Sequence, residues 1–396
     1  MNIIQKLTIL SLSFISLIAT AAMAPALNGI QTHFVDASPT LIKYVVTLPA
    51  LICIPVGLLN TTFIKFISKK RLILIGLILF TIGGLSSSLA SNIYTLLFTK
   101  VILGLGLGIT APLSLVLIGD FFHGKDRAKF MGLSTATTNL GGILATLLVG
   151  FLASFGWRYS FLVYAVAIIV FILIALFLPR IPTEHIEKNL HKNTSPIHLE
   201  KIEEEIKLNK GIFKYAILTM LALIAFYAVP TNMDFLIKYK DLGTSSTAAN
   251  MVSISTLVSL VSATLFPKLM KLLKSSYVIV IFVSMTLGFA ILGASTTLLL
   301  VIVGAVLVGF GFGSIVPFGM LFASNIVHKT HTGLAILIVT TALYLGEFLS
   351  PIVLQFFSNL LNINNVTGCL FGASIVCILA IFVSIYVIIS DKKILI

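Results

Sequence analysis

Long apolar runs alternate with short polar turns along this chain, and the runs exceed what a water-soluble core helix needs. Crossing a hydrocarbon layer of about 30 Å takes roughly 20 helical residues. Twelve stretches meet that length, near 6–28, 41–64, 72–91, 96–119, 130–154, 159–178, 213–233, 247–268, 277–295, 297–322, 333–357 and 367–389. Most connections are short and predict antiparallel neighbours. The exception, Arg180 to Lys210, holds Glu184, Glu187, Lys188, Lys192, the run Glu203-Glu204-Glu205, Pro182 and Pro196. Its mixed charge marks a solvated linker. The expected division is a six-helix bundle over 1–180, a linker over 181–211 and a second six-helix bundle over 212–396.

A repeat supports that division. Gly104, Gly106, Gly108 and Pro112 stand inside the fourth span with the same spacing as Gly309, Gly311, Gly313 and Pro317 in the tenth, 205 residues later. Repeats of half a chain's length are a mark of secondary transporters. Glycines at alternate positions remove bulk from two sides of a helix, and the proline frees a carbonyl and permits a kink. These eight residues therefore read as packing and hinge positions. A nucleotide-binding glycine loop would need a strand before it and a solvent-facing helix start, and the pattern has neither.

Composition adds that 58% of residues are hydrophobic and only 10% charged, whereas a soluble domain carries about 25% charged residues. With both termini placed in the cytoplasm, 21 of the 26 basic residues fall on the cytoplasmic side, as the positive-inside rule requires. The net charge of +13 then reads as a topology signal and an attraction to anionic lipid, with no nucleic-acid partner implied. The first residues resemble a secretory leader, with Lys6, an apolar core and Ala22-Met23-Ala24, but the apolar run continues through Pro25-Ala26-Leu27. The stretch is expected to be the first crossing. Cys53, Cys369 and Cys377 lie in apolar spans and read as buried thiols. The seven histidines fall in loops or at span ends, which argues against a metal site and against a membrane enzyme.

Ionisable groups inside spans are costly and mark function. Glu347 lies halfway along the eleventh span and is the one acid expected at mid-depth; it stands 205 residues after Gly142. It is expected to face a central cavity and bind a proton, a cationic substrate group, or each in turn. The competing reading is a structural carboxyl bonded to a neighbouring helix. Lys100, near the outer end of the fourth span, either shares that coupling or substrate role or snorkels to the interface. Asn28, Asn139, Tyr227, Asn232 and Tyr344 are expected as uncharged cavity groups, and each also reads as an interhelical hydrogen bond.

Several phrases carry a family resemblance. Ser68-Lys69-Lys70-Arg71 after the second span, Lys100-x3-Gly104-x-Gly106, Gly124-Lys125-Asp126-Arg127 leading to Met131-Gly132, and Gly156-Trp157-Arg158 before Phe161 together resemble the major facilitator superfamily. Their order looks most like its twelve-helix drug:proton antiporter branch. Thr138-Asn139-Leu140-Gly141-Gly142 keeps the glycine pair of such exporters and lacks their Gly-Pro.

The resemblance implies an all-α membrane protein, twelve transmembrane helices in two pseudo-symmetric six-helix bundles that rock about a midplane site. It implies a monomer in the cell membrane, with no cofactor, that moves a small amphiphilic or cationic molecule outward on the proton gradient. The alternative is proton-coupled uptake of a sugar, organic acid or other nutrient. In the family a carboxylate after the second span helps latch the halves on the cytoplasmic face. Lys65 stands at its place, so the expected latch is Lys69, Lys70 and Arg71 with Asp120 and Arg127.

Overall fold

The computed structural model describes residues 3–122, 124–178, 211–326 and 332–390, and among these the regular structure is helical. The first half holds α1 (Ile3–Phe14), α2 (Leu27–His33), α3 (Pro39–Phe66), α4 (Lys69–Ser86), α5 (Ile93–Phe121), α6 (Gly124–Ala153) and α7 (Val166–Phe177). The second holds α8 (Gly211–Phe226), α9 (Ala228–Tyr239), α10 (Ser245–Leu273), α11 (Tyr277–Ala294), α12 (Leu298–Ile326), α13 (Thr332–Leu361) and α14 (Asn365–Ser390). Apart from Gly211, the expected linker lies outside the described residues.

Eleven helical segments among the described residues are long and apolar enough to cross a membrane. The first expected crossing is not one helix. It is α1, a stretch of turns, a 3-10 segment at Ala21–Ala26 that contains Pro25, and then α2. Proline has no N–H to give an i−4 carbonyl, so a regular helix cannot run through it unbroken. The seventh crossing breaks too, at Tyr227 between α8 and α9, three residues before Pro230. Other starts are firmly set: Ser38 accepts from the Leu41 N–H ahead of α3, and Asn92 and Thr95 form a reciprocal cap at α5.

The repeated glycines pack alike in both halves. On α5, a Cβ at Gly104 would meet Ile52 at 2.9 Å and one at Gly108 would meet Val56 at 2.7 Å, both on α3, while one at Gly106 would strike the α4 backbone at Phe80 and Gly76. On α12, a Cβ at Gly309 or Gly313 would strike the backbone of Ser255 or Ser259 on α10, and one at Gly311 would meet the Ile281 carbonyl of α11 at 2.5 Å. Residues four apart share a helix face and the one between them faces away. Each central helix is thus seated between two neighbours in the same order.

The halves touch at the end where α3, α10 and α14 begin. There the Asn28 N–H donates to Asp234 Oδ2 at 2.8 Å, Lys43 Nζ to Cys369 Sγ at 3.3 Å, and Ser246 Oγ to the Gly150 carbonyl at 2.9 Å. We call this the shut end.

Candidate functional site: a cavity between the halves

On the other side of the seam lies a cavity of about 640 Å³, walled by Cys53 and Gly57 of α3, Pro112 of α5, Ser134 and Thr138 of α6, and Tyr344 of α13, among others. These residues sit on the parts of their helices nearer the loops that carry Lys69 and Gly124. One turn beyond Tyr344, towards the shut end, is Glu347, 5% exposed. Its carboxyl lies beside the hydroxyls of Thr20 and Tyr227, which are 3.3 Å from each other. Oε1 accepts no hydrogen bond, an arrangement that buried polar atoms avoid unless a proton, a water or a ligand completes them.

Local sequence sets this arrangement. Gly346 brings α13 against the Met220 carbonyl of α8, and Ser350 Oγ donates to the Ile224 carbonyl at 2.7 Å, which fixes the rotation of α13 and so where Glu347, next to Gly346, points. Thr20 belongs to the broken part of the first crossing and Tyr227 to the break in the seventh. Both irregular stretches therefore converge on the carboxyl, as expected where non-helical backbone at membrane depth lines a cavity.

Of the residues singled out in the sequence, the structure brings together Glu347, Tyr227 and Tyr344. Asn232 is one helix turn away and donates to the Ala228 carbonyl at 3.0 Å. Asn139 donates to the Thr135 carbonyl of its own helix at 2.9 Å. Asn28 is at the shut end, where its backbone rather than its amide makes the contact. Pro112 lines the cavity wall.

Lys100 is not brought to Glu347, nor does it snorkel. It is fully buried within the first half, donates to Tyr164 Oη at 3.1 Å, and lies 4.6 Å and 4.4 Å from the ring centres of Phe161 and Tyr164. The aromatic rings take the place of a carboxylate by offering their negative faces.

The residues of the expected latch bond as follows in this structure. Lys69 Nζ meets Asp120 Oδ2 at 2.6 Å, and Lys70 Nζ donates to the carbonyls of Ala175 and Leu178 at 2.9 and 2.7 Å. These bonds tie α4 to α5 and to the end of α7, all in one half. Arg71 is exposed, and the Arg127 side chain lies outside the described residues. Among the described residues, the bonds of Lys69 and Lys70 stay within the first half.

Sequence reasoning missed Asp234, which is 1% exposed and makes Glu347 one of two buried acids among the described residues. The expected seventh span stopped at 233, whereas the apolar segment runs through Tyr239. It also missed Thr20, whose neighbour Ala21 opens an irregular stretch rather than a helix turn.

Comparison with known proteins agrees with this architecture. The chain is 27% identical over 204 residues to the arabinose-proton symporter of Escherichia coli (strain K12), covering 48% of this chain and 43% of that protein. It is 32% identical over 127 residues to the multidrug transporter protein MdtP of Bacillus subtilis (strain 168), covering 30% and 24%. It thus spans less than half the length of these curated relatives. The crystal structure of the nucleoside transporter NupG superposes with a TM-score of 0.79 at 15% identity, covering 99% of this chain and 100% of that one, which shows the shared fold. With two sets of helices packed alike around a cavity, and with residues 9–351 matching its family model, the chain belongs to the Major Facilitator Superfamily.

Proposed function

We propose that this transporter carries a small amphiphilic or cationic molecule out of the cell in exchange for protons, and that Glu347 is the group both compete for. The observation that carries the reading is a buried carboxyl, one oxygen unpartnered, one helix turn beyond Tyr344 in the wall of a cavity between the halves. A carboxylate there attracts a cationic cargo group; once protonated it no longer does, and the cargo leaves. The bound proton is then released on the cytoplasmic side, and one proton crosses inward for each cycle.

The similarity to the multidrug transporter protein supports export, and the similarity to the arabinose-proton symporter supports a second reading, uptake of a sugar together with protons. Reconstituted vesicles distinguish them. Under an imposed pH gradient, export predicts accumulation of a cationic amphiphilic dye against its gradient. Glu347→Gln is expected to bind the dye and to lose gradient-driven accumulation. Full accumulation by Glu347→Gln overturns the role of the carboxyl; proton-linked entry of a labelled pentose, with no dye movement, overturns export.

A further inference from the structure

The reading above leaves Asp234 idle, yet its surroundings are unusual. It lies on α9, 1% exposed, and its Oδ2 accepts from a main-chain N–H of the opposite half, that of Asn28 at 2.8 Å. Its Oδ1 is buried and accepts nothing. The bond therefore joins the two crossings whose helices are interrupted, the first at Ala21–Ala26 and the seventh at Tyr227. Those same crossings bring Thr20 and Tyr227 to Glu347. Along α9, Asp234 is about 10 Å from Tyr227 at 1.5 Å per residue. On this path the buried Asn232 Oδ1 is also without a partner. Unpartnered buried polar atoms are rare and collect where water enters.

The groups around Asp234 are few. Ser245, which opens α10, presents a hydroxyl, and Lys238, one turn on along α9, is the charge that acts on it. The other elements packed on α9 bring His33 from α2, Lys43 from α3, already bonded to Cys369 of α14, and Glu347 from α13.

We propose that Asp234 is a second proton-binding carboxyl of this transporter, placed at the shut end as its gate: ionised, it holds the halves together through the Asn28 N–H, and protonated from that side, it lets them part. The proton adds to Oδ1, the oxygen that has no partner, and no covalent bond breaks. The acceptor at Oδ2 then belongs to a neutral acid, and a bond to an ionised partner is roughly twice as strong as a neutral one. The proposal deepens the proton exchange proposed above and rests on it for its place in the cycle.

The test uses the full chain in lipid nanodiscs, with Cys53→Ala, Cys369→Ser and Cys377→Ala, and spin labels on Thr32→Cys and Tyr239→Cys at the exposed outer ends of the first and seventh crossings. The distance distribution is measured without cargo. Between about pH 8 and pH 5, the ratio of separated to shut molecules is expected to rise about tenfold, as the loss of one charge-assisted bond predicts. Asp234→Asn keeps an acceptor but cannot titrate, and is expected to lose this response. Asn28→Pro deletes the donor in the first turn of a helix, where proline is tolerated, and is expected to separate the labels at every pH. It also decides the question should Asp234→Asn fail to fold. A parent protein without the response, an Asp234→Asn protein that keeps it, or an Asn28→Pro protein that stays shut overturns the proposal. Glu347→Gln is expected to retain the distance response while losing gradient-driven transport, so failure of the gate and failure of the coupling site give different results.

Discussion

The ring of Tyr44 on α3 stacks on that of Phe348 on α13, with centroids 5.3 Å apart and planes 10° from parallel. Tyr44 is near the start of its helix and Phe348 follows Glu347, so the pair joins the two halves at the level of that carboxyl's helix turn. Stacked aromatic pairs contribute about 0.5–1.5 kcal/mol beyond their burial. Phe348→Ala is therefore expected to raise the ratio of separated to shut molecules by roughly 2- to 10-fold, measured with spin labels on Thr32→Cys and Tyr239→Cys at the shut end. An unchanged ratio would show that the stack merely fills space.

The aromatic setting of Lys100 leads to a counterintuitive expectation. A buried cation without a carboxylate is costly, and well-packed apolar replacements for buried charges are often neutral or stabilising. Lys100→Met should unfold at the same temperature as the parent or higher, and should transport normally. Lys100→Ala, which also leaves a void, should lose about 2–5 kcal/mol. Loss of transport by a stable Lys100→Met protein would return the lysine to the mechanism.

The repeated glycines make a paired prediction. A methyl on Gly106 collides with backbone atoms of α4, which cannot rotate away, so Gly106→Ala is expected to cost about 1–3 kcal/mol as overpacking. Its counterpart Gly311→Ala should behave alike. Gly132 on α6 has nothing within 4 Å of the added carbon, and Gly132→Ala should instead stabilise by about 0.5–1 kcal/mol. Thermal unfolding in detergent ranks the three.

The Lys69–Asp120 pair is short but partly exposed, at 10% and 30% of its side chains. Exposed ion pairs contribute about 0.2–1 kcal/mol. A double-mutant cycle with Lys69→Met and Asp120→Asn should yield a coupling in that range and diminish in high salt. A coupling of several kcal/mol would mean that the pair also acts across the halves in another state of the transporter.

Much of the fold was legible because its signals are local: a crossing needs only a run of apolar residues, and the glycine spacing repeats in plain view. Glu347 was legible for the same reason, as a charge in the middle of such a run. Asp234 escaped because a span boundary is set by solvation, and an expected end one residue short of it placed it in a loop. Lys100 escaped because its surroundings, Phe161 and Tyr164, lie some 60 positions along the chain; a snorkelling lysine and a caged one look identical in sequence. The partners of the basic cluster were not legible for a different reason. Charges at one face of the bundle say which helices end there, and not which half they will hold in a given state.

The alternating glycines of α5 have a mechanical corollary. Because one helix is pressed into α3 on one side and α4 on the other, these three cannot slip past each other without backbone collision, and α10, α11 and α12 form a matching trio. Whatever bending accompanies turnover is then delegated to the first and seventh crossings, where Pro25 and Pro230 have already interrupted the helical ladder. In outline, two close-packed trios face each other across crossings whose helices are broken.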